Sequence, residues 1–230
     1  MGHITEGIKE AFVIILTLDK EFLSIVFTSI KISFASTFLA AVLAVPFGIW
    51  LGTAKFKGRK LTTTILNTLM SLPTVVIGLL LYSFLSRNGP LGSFGMLYTP
   101  AAMIMGQCVL AFPIIAALVA GGVRNIGNEP LVAARLLGAG RFESGVLFLR
   151  EAKLIVITCI LAGFGRVFSE VGISMMVGGN IRFYTRNITT AIALETSRGA
   201  FGLGIALGLV LLAVAFLINM AMYYFRGETA

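Results

Sequence analysis

Four stretches of the chain, residues 32–54, 61–86, 88–123 and 199–225, contain no Asp, Glu, Lys or Arg. Each is long and apolar enough to cross a bilayer as a helix. The third stretch exceeds one span. It opens on Asn88-Gly89-Pro90-Leu91-Gly92, which is turn chemistry, so its helix is expected from near Tyr98. A fifth span fits residues 154–177, interrupted by Arg166 and Glu170. The apolar run at residues 11–18 is too short to cross and reads as an interfacial amphipathic segment. Asp19, Lys20 and Glu21 follow it without a small-residue cleavage site, which argues against a signal peptide. The pattern predicts an all-α, polytopic membrane protein: a single domain over residues 1–230, with spans at about 24–52, 62–86, 98–122, 154–177 and 200–224.

Composition agrees. Charged residues make up 12% of the 230, hydrophobic ones 57%, and the mean hydropathy is +0.97. Soluble domains carry about 25% charged residues. The supply here is too small to cover a soluble surface, which excludes disorder, a disulfide scaffold and an ordinary cytosolic enzyme. Placement of the charges then gives orientation. Residues 55–60 carry four Lys/Arg and no acid, and residues 124–153 carry Arg124, Arg135, Arg141, Arg150 and Lys153. Both loops follow odd-numbered spans. With Arg226 their side holds ten Lys/Arg, against six for Lys9, Lys20, Arg87, Arg182, Arg186 and Arg198. The positive-inside rule puts the N-terminus outside and the C-terminus in the cytoplasm. The net charge of +8 is accounted for by topology. Lipid is the expected partner and nucleic acid is not, because no soluble domain offers a basic face.

Chemistry is scarce. His3 is the sole histidine, so zinc sites, Ser-His-Asp triads and histidine proton relays are excluded, and no metal site is expected. No G-x-x-x-x-G-K-[ST] run is present, so the chain is expected to hold no nucleotide of its own and to be no enzyme. Cys108 and Cys159 fall inside spans and read as small buried hydrophobes. Gly48-x-x-x-Gly52 and Gly204-x-x-x-Gly208 allow close helix crossing. Pro46, Pro73 and Pro113 are expected to kink the first three spans, Gly78 either packs or lines a pore, and Trp50 reads as an interfacial anchor.

One segment breaks the membrane pattern, the cytoplasmic loop at about 124–152. Asn128 is a suitable N-cap, and Glu129 and Pro130 suit a first turn. Residues 131–137 favour helix, and Gly138 and Gly140 are expected to end it. Ala133 and Ala134 would put small residues on one side. Such a helix is either gripped by a partner protein or is a plain connector.

Val132-Ala133-Ala134-x-x-x-Gly138 resembles the E-A-A-x-x-x-G coupling signature of ABC importer permeases, and residues 133–142 look like its oxyanion branch. Leu72-Pro73-Thr74-Val75-Val76-Ile77-Gly78 is similar to the L-P-P-V-V-x-G run of molybdate-type permeases. Arg166-x-x-x-Glu170-x-Gly172 is similar to their R-x-x-x-E-x-G segment, and Asn180-Ile181 with Thr185-Arg186-Asn187-Ile188 follows their outer pattern. Met175-Met176-Val177-Gly178-Gly179-Asn180 looks most like tungstate permeases. The chain departs at Val132, where the motif has glutamate, with Glu129 the nearby acid, and around Glu151, where the family has a proline.

The resemblance implies a five-span bundle of the ABC importer permease (MetI-like) type in a prokaryotic inner membrane. It implies a homodimer, two cytoplasmic ABC ATPase subunits carrying ATP and Mg, and an extracytoplasmic oxyanion-binding protein. The cargo would be tungstate, or else molybdate or sulfate. Glu129, Ala133, Ala134, Gly138 and Arg141 would form the ATPase-coupling loop. Arg166 and Glu170, four apart, form either a structural pair or part of the path. Asn180, Arg182, Thr185 and Arg186, with Arg198 nearby, either offer donors to an anion, dock the binding protein or simply sit in the interface. The rival readings are a secondary transporter, expected to show internal repeats and coupling carboxylates, and a membrane enzyme, for which the residues are lacking.

Overall fold

The computed structural model describes residues 2–127 and 129–227 and is built of helices, with no strand among the described residues. In chain order these are α1 (Gly2–Thr17), α2 (Lys20–Thr53), α3 (Arg59–Met70), α4 (Thr74–Leu85), α5 (Pro100–Ile126), α6 (Glu129–Leu136), α7 (Arg141–Phe168), α8 (Gly172–Gly178), α9 (Ile188–Arg198) and α10 (Phe201–Gly227). Among them α2, α5 and α10 are each long and apolar enough to cross a membrane. The pairs α3/α4 and α7/α8 pass only together, bent by 91° and 60°. Counting each bent pair as one span gives the five expected.

The centre is the parallel pair α2 and α5. A Cβ on Gly48 would fall 2.7 Å from the Ala116 carbonyl oxygen, and one on Gly52 2.8 Å from Val123 Cγ1. The glycines therefore let the two backbones approach, as small residues do between membrane helices. The same spacing at Gly204 and Gly208 meets open space or distant atoms. From α7, Ile155 presses on Gly122, and Gly163 faces Ile115, so α7 runs antiparallel to α5. Ala40, Ala44, Ile115, Val119, Phe148 and Cys159 are buried in the core that results. A second core joins α4, α5 and α8, and a third ties α1 and α10 to the start of α2 and to α9. The N-terminal segment is longer than residues 11–18: α1 is a full helix whose Gly7 lies against Phe201 and Ile205 of α10. Ile8, Phe12, Val13 and Leu16 remain exposed on it.

Pro46 and Pro113 lie inside α2 and α5, and neither ends its helix. Several other local expectations are corrected. Pro73 instead marks a full break, because Leu72 before it is steered out of helix and Pro73 then caps α4 through its carbonyl, which accepts from Val76 and Ile77. The stretch 154–177 is also not continuous. The helix starts earlier, at Arg141, and stops at Phe168. The loop expected at 124–152 shrinks accordingly, since α5 reaches Ile126 and α7 begins at Arg141. Gly140 does not end α6 but caps α7: its N–H donates to Glu143 Oε2 at 2.9 Å. Gly78 packs, with Met176 Sδ 3.0 Å from where its Cβ would be. Trp50 is half-exposed and stacks on Phe56 at 4.8 Å. Lys31, absent from the loop charge count, lies on the exposed face of α2.

Candidate functional site

The first region is the α5–α6–α7 turn. Helix α6 forms where the sequence places it, and Gly138 takes φ +86°, the left-handed conformation that glycine adopts without a Cβ penalty. Ala139 N–H donates to the Ala134 carbonyl at 3.0 Å and closes the helix end. Ala133 and Ala134 do not share a face. Ala134 is buried on the side toward α7, whereas Ala133, Val132, Leu136 and Leu137 are exposed. Asn128 and the side chains of Glu129 and Arg141 lie outside the described residues. The exposed side of α6 is thus an apolar knuckle at the end of the bundle where α2 and α5 finish.

The second region is the α7/α8 break. Arg166 and Glu170 do pair, Nη1 donating to Oε2 at 2.9 Å, but not along one helix, since Glu170 lies beyond its end. The other carboxylate oxygen, Oε1, accepts from Ile173 N–H in the first turn of α8 at 3.2 Å. A buried carboxylate is replacing a backbone carbonyl, which lets the chain turn. Thr189 donates to the Glu170 carbonyl at 2.7 Å. Gly172, two residues on, has room for no side chain, because Thr74 Oγ1 would be 2.9 Å from a Cβ and Val75 3.2 Å. The two breaks, at Pro73 and at Glu170, therefore rest on one another.

The third region is the opposite end of the bundle, at the segment between α8 and α9. Here the structure finds a partner that the sequence did not suggest. Glu21, in the first turn of α2, receives Arg182 Nη2 on Oε2 at 2.6 Å and Arg186 Nη1 on Oε1 at 2.8 Å. That bond pushes the Arg182 guanidinium further above its already high ordinary value. Thr185 is structural: its hydroxyl donates to the Gly178 carbonyl at 2.6 Å and accepts from Ile181 N–H at 3.0 Å. Asn180 takes φ +49° and donates to the Thr190 carbonyl at 3.3 Å. Arg198 stands apart, 3.6 Å from Glu195.

A buried polar network links the second and third of these regions and as a whole has no signature in the local sequence pattern. Ser36 on α2 donates to Gln107 Oε1 at 3.0 Å, and Gln107 Nε2 donates to Ser174 on α8 at 3.2 Å. Asn187, which caps α9, donates to the same Ser174 hydroxyl at 3.1 Å. Gln107 was detectable in principle, since an amide inside a charge-free span is costly unless it finds partners. Glu21 was not, because 161 positions separate it from Arg182.

The comparisons with known proteins agree with this geometry. A family model described as "Binding-protein-dependent transport system inner membrane component" matches residues 44–228. The tungstate uptake system permease protein of Peptoclostridium acidaminophilum is 40% identical over 228 residues, covering 99% of this chain and 100% of that protein. The protein of the same name from Campylobacter jejuni is 37% identical, covering 95% of this chain and 92% of that protein. Among solved structures, an inward-facing methionine ABC transporter superposes with a TM-score of 0.70 at 20% identity, over 90% of this chain and 95% of that one. That last likeness speaks for the fold.

Proposed function

We propose that this chain, which belongs to the family of binding-protein-dependent transport system inner membrane components, is the membrane-spanning subunit of an ABC importer that brings tungstate into the cytoplasm. The observation that carries the reading is the 40% identity to a tungstate permease over nearly the whole of both chains. Tungstate, molybdate and sulfate are all tetrahedral dianions, and the latter two remain outcomes of the test.

The architecture supports a division of labour. An ATPase pair carrying ATP and Mg would hold the exposed face of α6, and an extracytoplasmic binding protein would deliver the ion at the other end. The α6 end is assigned to the cytoplasm from the dense Lys/Arg of residues 55–60 and of the α5–α7 turn. Each chain's interior is filled by its buried cores, which supports a path between two copies rather than through one. Motion has a clear conductor. Helix α6 seats Ala134 toward α7, and the 28 residues of α7 form one rod of about 42 Å ending at Arg166 and the Glu170 break. Closing two ATPases would draw the α6 helices together and tilt both rods. The α4–α8 contact at Gly172 would then shift as a unit, a rigid-body form of alternating access.

Two experiments test this. A tagged chain should pull down an ATP-binding subunit, and deletion of residues 129–141 should abolish the capture. Cells lacking the chain should lose tungstate uptake in a molybdate competition assay. Retained tungstate uptake with selective loss of molybdate or sulfate uptake would replace the cargo, and capture that survives the deletion would overturn the role of α6.

A further inference from the structure

Each oxygen of the Glu21 carboxylate is engaged by a different arginine, Arg182 at 2.6 Å and Arg186 at 2.8 Å. One carboxylate thus bridges two guanidiniums. Asp19, whose field also reaches Arg182, is committed elsewhere: its Oδ1 accepts the N–H groups of Glu21 and Phe22 and starts α2. With Glu21 withdrawn, two guanidiniums would face each other with no carboxylate between them.

The backbone that carries the two arginines is braced without help from Glu21. The N–H groups of Tyr184, Thr185 and Arg186 all donate to the Ile181 carbonyl, at 3.1, 3.0 and 2.9 Å. Thr185 ties the loop to Gly178, and Asn180 and Phe183 hold positive φ values of +49° and +60°. The Arg182 guanidinium rests 4.9 Å over the Phe183 ring. Arg186 is nearly enclosed, its side chain 11% exposed, and its Nε–H is buried without a partner. The result is a pair of forked donors on a braced loop, one exposed and one sheltered, with a donor to spare. Two guanidiniums so placed suit a small oxyanion with several acceptor oxygens.

We propose that Arg182 and Arg186 form an acceptor site for a tetrahedral dianion at the outer end of the bundle, and that Glu21 is the internal carboxylate that occupies it when no ion is present. The proposal rests on the reading of the chain as an oxyanion importer. Glu21 is anchored in a helix, so it competes at an effective concentration of roughly millimolar or more. A free ion at trace level is thereby kept out, and an ion presented by a docked binding protein displaces the carboxylate. The returning carboxylate then expels the ion inward instead of leaving it bound.

The test uses the complex of the chain with its ATPase, in detergent and without the binding protein, and measures equilibrium binding of labelled tungstate. Glu21→Gln should bind at least about tenfold more tightly than wild type, because the tethered competitor is gone. Excess molybdate or sulfate should displace the label. Glu21→Gln combined with Arg186→Gln should lose the gain. Should Glu21→Gln fail to assemble, Glu21→Asp serves: it keeps the charge but is too short to bridge both arginines, and it too should bind more tightly than wild type. An assembled Glu21→Gln or Glu21→Asp complex with wild-type binding overturns the site, as does a gain that survives loss of Arg186. A chain that imports tungstate but shows no such gain loses this site and keeps its role as an importer.

Discussion

Arg166 and Glu170 are joined at 2.9 Å but live in different surroundings: the Glu170 side chain is 3% exposed and that of Arg166 is 43% exposed. The pair is therefore asymmetric. Arg166→Met strands a buried carboxylate, a loss that costs about 3–5 kcal/mol where one partner of a buried pair is removed. Glu170→Gln leaves a half-open guanidinium and keeps an oxygen for the Ile173 N–H. Arg166→Met should therefore melt well below Glu170→Gln in detergent, and the double variant should recover part of the loss. A thermal-unfolding double-mutant cycle measures this, and equal losses from both single variants would contradict it.

The same pair shows what sequence could and could not reveal. Five spans were legible because a bilayer penalises every charge, so charge-free stretches report themselves. The breaks were not. A span that turns at Pro73 or at Glu170 keeps its composition, and the turn at Glu170 depends on a side chain taking the place of a carbonyl. Helix α6 was legible from Glu129, Pro130 and Gly138, but Gly140 was assigned to the wrong helix, because a glycine suits a helix end and a helix start alike. Glu143, three residues on, carried the missing signal. Arg182 and Arg186 were legible as charges but their shared partner was not, since nothing local in the chain announces Glu21.

Gln107 makes bonds to two other elements from a fully buried position, to Ser36 on α2 and Ser174 on α8. Gln107→Leu removes both and leaves the two hydroxyls to their remaining partners, at a cost of about 1–3 kcal/mol. Gln107→Glu should be worse, because it buries a charge with no cation opposite. The order of melting points, wild type above Leu above Glu, is the expected outcome, and Glu melting at or above Leu would count against it.

The two Gly-x-x-x-Gly runs should respond differently. Gly48→Val would drive a side chain into Ala116 and Val119, an overpacking worth about 1–3 kcal/mol, whereas Gly208 faces open space within the chain. Gly48→Val should lower the melting temperature of the isolated chain and Gly208→Val should not. If Gly208→Val instead weakens association between copies at unchanged melting temperature, as read by light scattering, that face belongs to the interface between them.

Gly138 separates backbone from bulk. An added Cβ there meets nothing within 4 Å, yet φ is +86°. Within the chain, then, a substitution is opposed by conformation alone, by about 1–2 kcal/mol for a residue that avoids the left-handed region. Asn tolerates that region and Leu does not. If Gly138 serves only the turn, Gly138→Asn and Gly138→Leu should differ sharply, with Asn near wild type in both ATP hydrolysis and uptake. If an ATPase surface closes over this position, both side chains obstruct it, and both variants should hydrolyse ATP without moving the ion while still reaching the membrane. The proposed grip on α6 predicts the second pattern. Normal uptake by Gly138→Leu would sink it.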